Sequence, residues 1–148
     1  YTGYSAICIA LGMVDDSKLI TLDINEDIAW LPRKYFERCG LGERIRYILM
    51  PAIAYISSIE DNSLDMVFVD ADKQNYPQYY QSLKPKLKKG GYLLIDNVLW
   101  NGRVLDSVTP NRDTLAIQEM TKLLFNDSDF ICSILPLRDG ILIAQKNF

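Results

Sequence analysis

Three acidic residues in this sequence stand directly at the ends of apolar runs: Asp23 after KLITL, Asp70 after LDMVFV and Asp96 after YLLI. Buried runs of this kind read as strands of a parallel sheet, and such sheets bind ligands beyond the carboxyl ends of their strands. One acid there is usually a solvated cap. Three on one rim repel each other unless a ligand or cation compensates them. Asp70 opens the stretch DADK, and Asp96 is followed by Asn97. On adjacent strands these residues would bring two carboxylates and one amide oxygen together. That set suits a hard divalent cation (Mg²⁺, Mn²⁺ or Ca²⁺) and leaves positions open for substrate oxygens, whose hydroxyl pKa the cation would lower.

Lys73, three residues after Asp70, is expected on the same rim. It reads either as a general base beside an ionising hydroxyl or as a surface ion pair with Asp72, and residue types alone favour the ion pair. Asp23 lies 20 residues after Gly3, which opens a turn into a helix. A carboxylate at that spacing suits the ribose hydroxyls of a bound nucleoside. The turn lacks a full GxGxxG, which weakens a dehydrogenase reading, and the spacing alone does not choose between a dinucleotide and S-adenosylmethionine.

Composition narrows the chemistry further. The 148 residues contain no histidine, which removes Ser-His-Asp and Cys-His catalysis and HExxH zinc sites. Cys8, Cys39 and Cys132 are odd in number and far apart, so no disulfide framework follows and a reducing cytoplasm is the expected compartment. A net charge of −3 argues against nucleic acid as the main partner. No apolar run approaches a membrane span.

The elements that would position these residues alternate between the two periods. Helices are predicted over 4–13, 26–39, 52–59, 76–87 and 113–125, and strands over 18–24, 44–50, 64–69, 92–95, 130–135 and 141–144. Asn25 is expected to cap the second helix, Pro32 to kink it and Gly40 to stop it. Gly90-Gly91 is expected to close the helix over 76–87, with Lys84, Lys86, Lys88 and Lys89 meeting its C-terminal dipole. The Arg138-Asp139-Gly140 turn predicts a terminal antiparallel hairpin. The pattern is that of one α/β domain over 1–148, with a mostly parallel sheet flanked by helices. Trp30, Phe36 and Tyr47 read as core or interface residues.

The stretches YTGYSA (1–6), LDINED (22–27), VDADKQNYPQYY (69–80), IDNVLWNGRV (95–104) and LPLRDGILIAQK (135–146) resemble the cation-dependent O-methyltransferases of the caffeoyl-CoA and catechol type. The resemblance covers essentially the whole chain. It implies a Rossmann-like class I methyltransferase fold, S-adenosylmethionine as cofactor, a divalent metal and a small phenolic acceptor with a vicinal diol. Asp70, Asp96 and Asn97 match the family's metal ligands. Lys73 matches its proton-abstracting lysine, reversing the preference above. Gly3, Tyr4 and Ser5 match the turn holding the methionine end of the cofactor, Asp23 the ribose acid and Ala52 the adenine border; Asp70 also counts among the cofactor contacts. Asp72, Trp100 and Asn101 match substrate-side positions. The resemblance further implies a homodimer, with at least one of Tyr76, Tyr79 and Tyr80 facing the second subunit.

The sequence departs from the family at Met50-Pro51-Ala52, where GPA is usual, and at Pro32, where alanine is usual, so an altered adenine pocket is expected. It opens on YTGYSA, inside a turn and without Met, and a preceding portion of the domain is expected. By the resemblance that portion supplies several helices and a mid-sheet first strand, so the sheet formed by the present residues is expected to be interrupted at its centre. A catalytically silent methyltransferase-like binding or oligomerisation module is the alternative reading. A nicotinamide dehydrogenase comes third, and leaves Asp70, Asp96 and Asn97 without a purpose.

Overall fold

The computed structural model describes residues 1–106, 108 and 110–147, and the chain falls into two compact units, Tyr1–Tyr55 and Ile56–Phe148. In the first unit, α1 (Tyr4–Gly12), β1 (Leu19–Asp23), α2 (Trp30–Arg38) and β2 (Ile45–Leu49) lead into α3 (Ala52–Ile56). β1 and β2 are parallel, with Asp23 opposite Leu49. Ala6, Ala10, Phe36, Leu41 and Ile45 are buried together, with Tyr47 packed against them. Trp30, expected in a core or interface, is 61% exposed.

The second helix starts later than its sequence pattern predicts. Asn25 does not cap it: the Asn25 Oδ1 accepts from the Asp27 N–H at 3.1 Å, forming a local turn, and the helix begins at Trp30. Pro32 therefore falls in the first helical turn, where a missing N–H breaks no intrahelical bond, and no kink is needed. Gly40 ends the helix as expected. Its φ of +68° lies in the left-handed region, and the Leu41 N–H then reaches back to the Phe36 carbonyl at 2.8 Å.

In the second unit, β3 (Leu64–Val69), α4 (Tyr76–Leu83), β4 (Leu87–Asp96), α5 (Arg112–Phe125), β5 (Phe130–Leu135) and β6 (Ile141–Lys146) follow in order, with 3₁₀ turns at Lys73–Asn75 and Trp100–Leu105. The sheet order is β3-β4-β6-β5. β3 runs parallel to β4, and β6 is antiparallel to both β4 and β5. Leu87, Leu93, Ile95, Ile117, Met120, Leu124 and Leu142 are fully buried. Asn111 caps α5 by accepting from the Thr114 N–H at 2.8 Å.

Here the pattern misplaces one boundary. α4 stops at Leu83 and not at the Gly90-Gly91 pair, because Pro85 has no N–H to continue the ladder. The two glycines lie inside β4, where the register shifts between Leu64 and Met66. A Cβ at Gly91 would sit 3.0 Å from the Asp65 and Lys88 carbonyl oxygens, so the irregularity needs a residue without one. The lysine run consequently does not decorate a helix end. Lys84 binds Asp127 and Asp129, Lys86 binds Asp61 and Lys88 binds Asp65.

The parallel pairs and the terminal hairpin are those expected of a Rossmann-like α/β chain. The strands form two sheets, β1-β2 and β3-β4-β6-β5, with no ladder joining them among the described residues. No helix of the described residues is long and apolar enough to cross a membrane.

Candidate functional site

In the second unit the register decides which acids meet. Val69 is paired with Ile95 in the parallel β3–β4 ladder, so the next residues, Asp70 and Asp96, leave neighbouring strands side by side, about 5 Å apart along the hydrogen-bonding direction. The Asp96 Oδ1 accepts from the Asn97 N–H at 2.7 Å. Asn97 holds a φ of +61°, a left-handed conformation that asparagine tolerates better than most residues.

Lys73 begins the 3₁₀ turn that follows Asp70. Its ammonium donates to the Tyr76 hydroxyl and lies 3.4 Å from the Asp70 Oδ1. The Tyr76 and Trp100 rings approach it at 4.7 and 6.0 Å. The surface ion pair with Asp72 does not form. The two carboxylate oxygens of Asp72 instead accept from the Tyr79 hydroxyl, at 2.7 Å, and from the Asn75 amide. Asp72 thus props the 3₁₀ turn through both of its carboxylate oxygens.

Tyr76, Tyr79 and Tyr80 are buried within the chain. Tyr76 is 1% exposed, and its hydroxyl donates to the Asp96 carbonyl at 3.0 Å. Burial, then the carboxylates of Asp70, Asp96 and Asp72, hold the Tyr76 phenol far above its ordinary range. Tyr80 donates to Asp127. Tyr76 is the site residue that sequence reasoning left unassigned. Its signal was present in the three-residue spacing from Lys73 to Tyr76.

The segment after Asn97 forms a wall. Trp100, Asn101 and Gly102 all hold positive φ. The segment is sewn to the β5–β6 turn: the Val98 N–H donates to Gly140, the Leu99 N–H to the Asp139 carbonyl, and the Asn101 N–H to the Asp139 carboxylate. A Cβ at Gly140 would meet the Leu99 side chain at 2.4 Å, so the turn can approach this closely only through glycine. Beside the wall lies an open cleft of about 690 Å³ lined by Leu99, Asn101, Val104, Leu105, Arg138 and Asp139. The Trp100 indole N–H is buried without a partner.

The donor chemistry here is hard oxygen: the Asp70 and Asp96 carboxylates and the Asn97 amide, with Asp70 only loosely held by Lys73. These residues fit a divalent cation. Among the described residues no three His, Cys, Asp or Glu side chains gather as a metal cluster; the set at issue has two carboxylates and one amide.

In the first unit, Gly3 precedes α1 with φ +85°, and a Cβ there would lie 2.8 Å from both Pro32 and Phe36. No side chain caps α1, which leaves the N–H groups of Tyr4 and Ser5 for an anionic group. The Asp23 carboxylate accepts from the Ile24 and Asn25 N–H groups at 2.7 and 2.9 Å. Burial alone would raise its pKa. Hydrogen bonds from the two N–H groups act the other way and lower it. The Met50 N–H donates to the Asp23 carbonyl at 2.9 Å, so Ala52 and α3 start next to this strand end.

A sequence model described as O-methyltransferase matches residues 1–147. Among curated proteins, a probable caffeoyl-CoA O-methyltransferase 1 of Dictyostelium discoideum is 33% identical over 99% of this chain and 66% of its own length. Caffeoyl-CoA O-methyltransferase 3 of Nicotiana tabacum is 35% identical over 99% and 65%. The chain thus spans about two thirds of the length of the curated relatives it matches. A crystal structure of the O-methyltransferase from Bacillus cereus in complex with SAH superposes with a TM-score of 0.91 at 26% identity, covering 99% of this chain and 70% of that one.

Proposed function

The chain belongs to the O-methyltransferase family, and from that membership we propose that it moves a methyl group from S-adenosylmethionine to a hydroxyl of a catechol-like phenolic, assisted by a divalent cation. The observation that carries the reading is the Val69–Ile95 register, which makes neighbours of Asp70 and Asp96 with Lys73 beside them.

Asp70, Asp96 and Asn97 would hold the cation. When bound, it supplies positive charge that favours the ionised form of a vicinal diol. Lys73, as the neutral amine, takes the proton of the reacting hydroxyl at its Nζ and becomes the ammonium. The acceptor oxygen then attacks the sulfonium methyl in line, the C–O bond forming as the C–S bond breaks. Trp100 and Asn101 wall the acceptor, and the apolar Leu99, Val104 and Leu105 suit an aromatic ring. Gly3, Tyr4 and Ser5 receive the methionine end of the cofactor, Asp23 its ribose, and Ala52 borders the adenine. The chain's contribution is mostly positioning and preorganised charge.

The test is turnover of a catechol by the full-length protein with and without a chelator. Turnover should require a divalent ion, and Asp70→Ala should remove both the requirement and roughly 100-fold or more of the rate. Full activity in the presence of chelator would refute the metal's role. Absence of S-adenosylmethionine binding by calorimetry would favour the catalytically silent module.

A further inference from the structure

We propose that Tyr76 is a positioning residue that holds Lys73 in place for proton transfer, through a relay from the lysine ammonium to the Tyr76 hydroxyl to the Asp96 backbone carbonyl. The inference rests on the reading of Lys73 as the proton acceptor. It begins with the polarity of the hydrogen bonds. The Tyr76 hydroxyl has one proton, and it is given to the Asp96 carbonyl at 3.0 Å. The oxygen is left as an acceptor only, so the lysine Nζ must donate to it, as ammonium or as the neutral amine whose lone pair then stays free for the substrate proton. The Lys73-to-Tyr76 bond therefore has one possible direction, and its far end is anchored to the backbone of β4 (Leu87–Asp96).

A competing resting place makes this anchor matter. Lys73 carries a flexible four-carbon stem, and the nearest carboxylate is Asp70. A charge-assisted lysine–carboxylate bond closes to about 2.7–2.9 Å, yet here the separation is 3.4 Å. The ammonium sits closer to the Tyr76 oxygen, at 2.5 Å. The phenol thus draws the lysine off a carboxylate that the proposed function needs for a cation. Tyr76 can do this because its ring is locked: it is 1% exposed and stands at the first residue of α4, three positions after Lys73 on the same face. Tyr79 and Tyr80 cannot substitute, since their hydroxyls are committed to Asp72 and Asp127.

The experiment is Tyr76→Phe in the full-length protein, alone and combined with Lys73→Met. Turnover of a catechol, its KM, S-adenosylmethionine affinity and thermal unfolding are all measured. We expect Tyr76→Phe to lower kcat by about 10- to 100-fold, the scale of a misplaced reacting group, with KM and cofactor affinity changed less than about twofold, small beside the tenfold per 1.4 kcal/mol of binding energy. In the Lys73→Met background the second substitution should cost nothing further. A kcat within about twofold of wild type, in a protein that Lys73→Met disables, would overturn the inference and leave the proposed function standing. So would a Tyr76→Phe loss that persists undiminished without Lys73. A fully active Lys73→Met protein would overturn the base assignment and the inference with it. Should Tyr76→Phe unfold, a crystal structure of the wild type decides: Lys73 Nζ bonded to the Tyr76 hydroxyl supports the relay, and Lys73 Nζ beyond hydrogen-bond distance of it refutes it.

Discussion

At the scale of single residues, the chemistry follows from which oxygen atoms are free and which are engaged. Asp70 and Asp72 are two positions apart and look alike in the sequence. Asp72 accepts hydrogen bonds from Tyr79 and Asn75, whereas Asp70 has a long approach from Lys73. Asp23 shows a third state, a carboxylate whose Oδ1 takes both backbone N–H groups, leaving Oδ2 outside that turn. If that oxygen receives ribose hydroxyls, Asp23→Asn should weaken S-adenosylmethionine binding by about 1–3 kcal/mol, roughly 5- to 150-fold, without unfolding the protein. Calorimetry checks this, and an unchanged affinity would remove Asp23 from the cofactor site.

At the scale of elements, the ends of α4 are fastened separately. Its N-terminal end carries Tyr76 and meets the end of β4. Its C-terminal end carries Tyr80 and Lys84, both bound to Asp127 after α5, with Lys84 also 2.8 Å from Asp129. Burial would raise the Asp127 pKa, but hydrogen bonds from Lys84 and Tyr80 hold it below the ordinary range. A carboxyl depressed on folding contributes stability that is present above its unfolded pKa of about 4 and is lost as pH falls through the folded value. Lys84 is shifted upward by the same partners, so its share persists until strongly alkaline pH. Asp127→Asn should therefore cost about 1–2 kcal/mol at pH 7, and the gap to wild type should be smaller at a pH below the ordinary carboxylate range. Urea unfolding at both pH values measures the difference.

At the scale of the whole molecule, stability should be uneven. β4 is hydrogen-bonded on both edges, to β3 and β6, and supplies the fully buried Leu93 and Ile95. β1 and β2 pair only with each other among the described residues, and a two-stranded ladder is marginal by itself. Hydrogen exchange on this chain should therefore show the β4 amides opening last and those of β1 and β2 much earlier. Equal protection of both sheets would contradict this.

Much of this was legible before any coordinates. Strands ending in Asp23, Asp70 and Asp96, the Gly40 stop and the closing hairpin all follow from local rules: period-two apolar runs, a glycine where φ is positive, a short polar turn. Where two local signals competed, the pattern failed. Asn25 could cap a turn or a helix, and Pro85 outranked Gly90-Gly91 as the end of α4. What residue types could not decide was partnership across distance. Only the fold turned Lys73 from Asp72 toward Tyr76, put Tyr76 under the Asp96 carbonyl and divided the strands between two sheets. The first of these is settled within a few residues, by the bonds that Asp72 receives from Asn75 and Tyr79 and that Tyr76 receives from Lys73; the other two depend on ladder register, which is set by contacts between stretches of chain twenty or more residues apart.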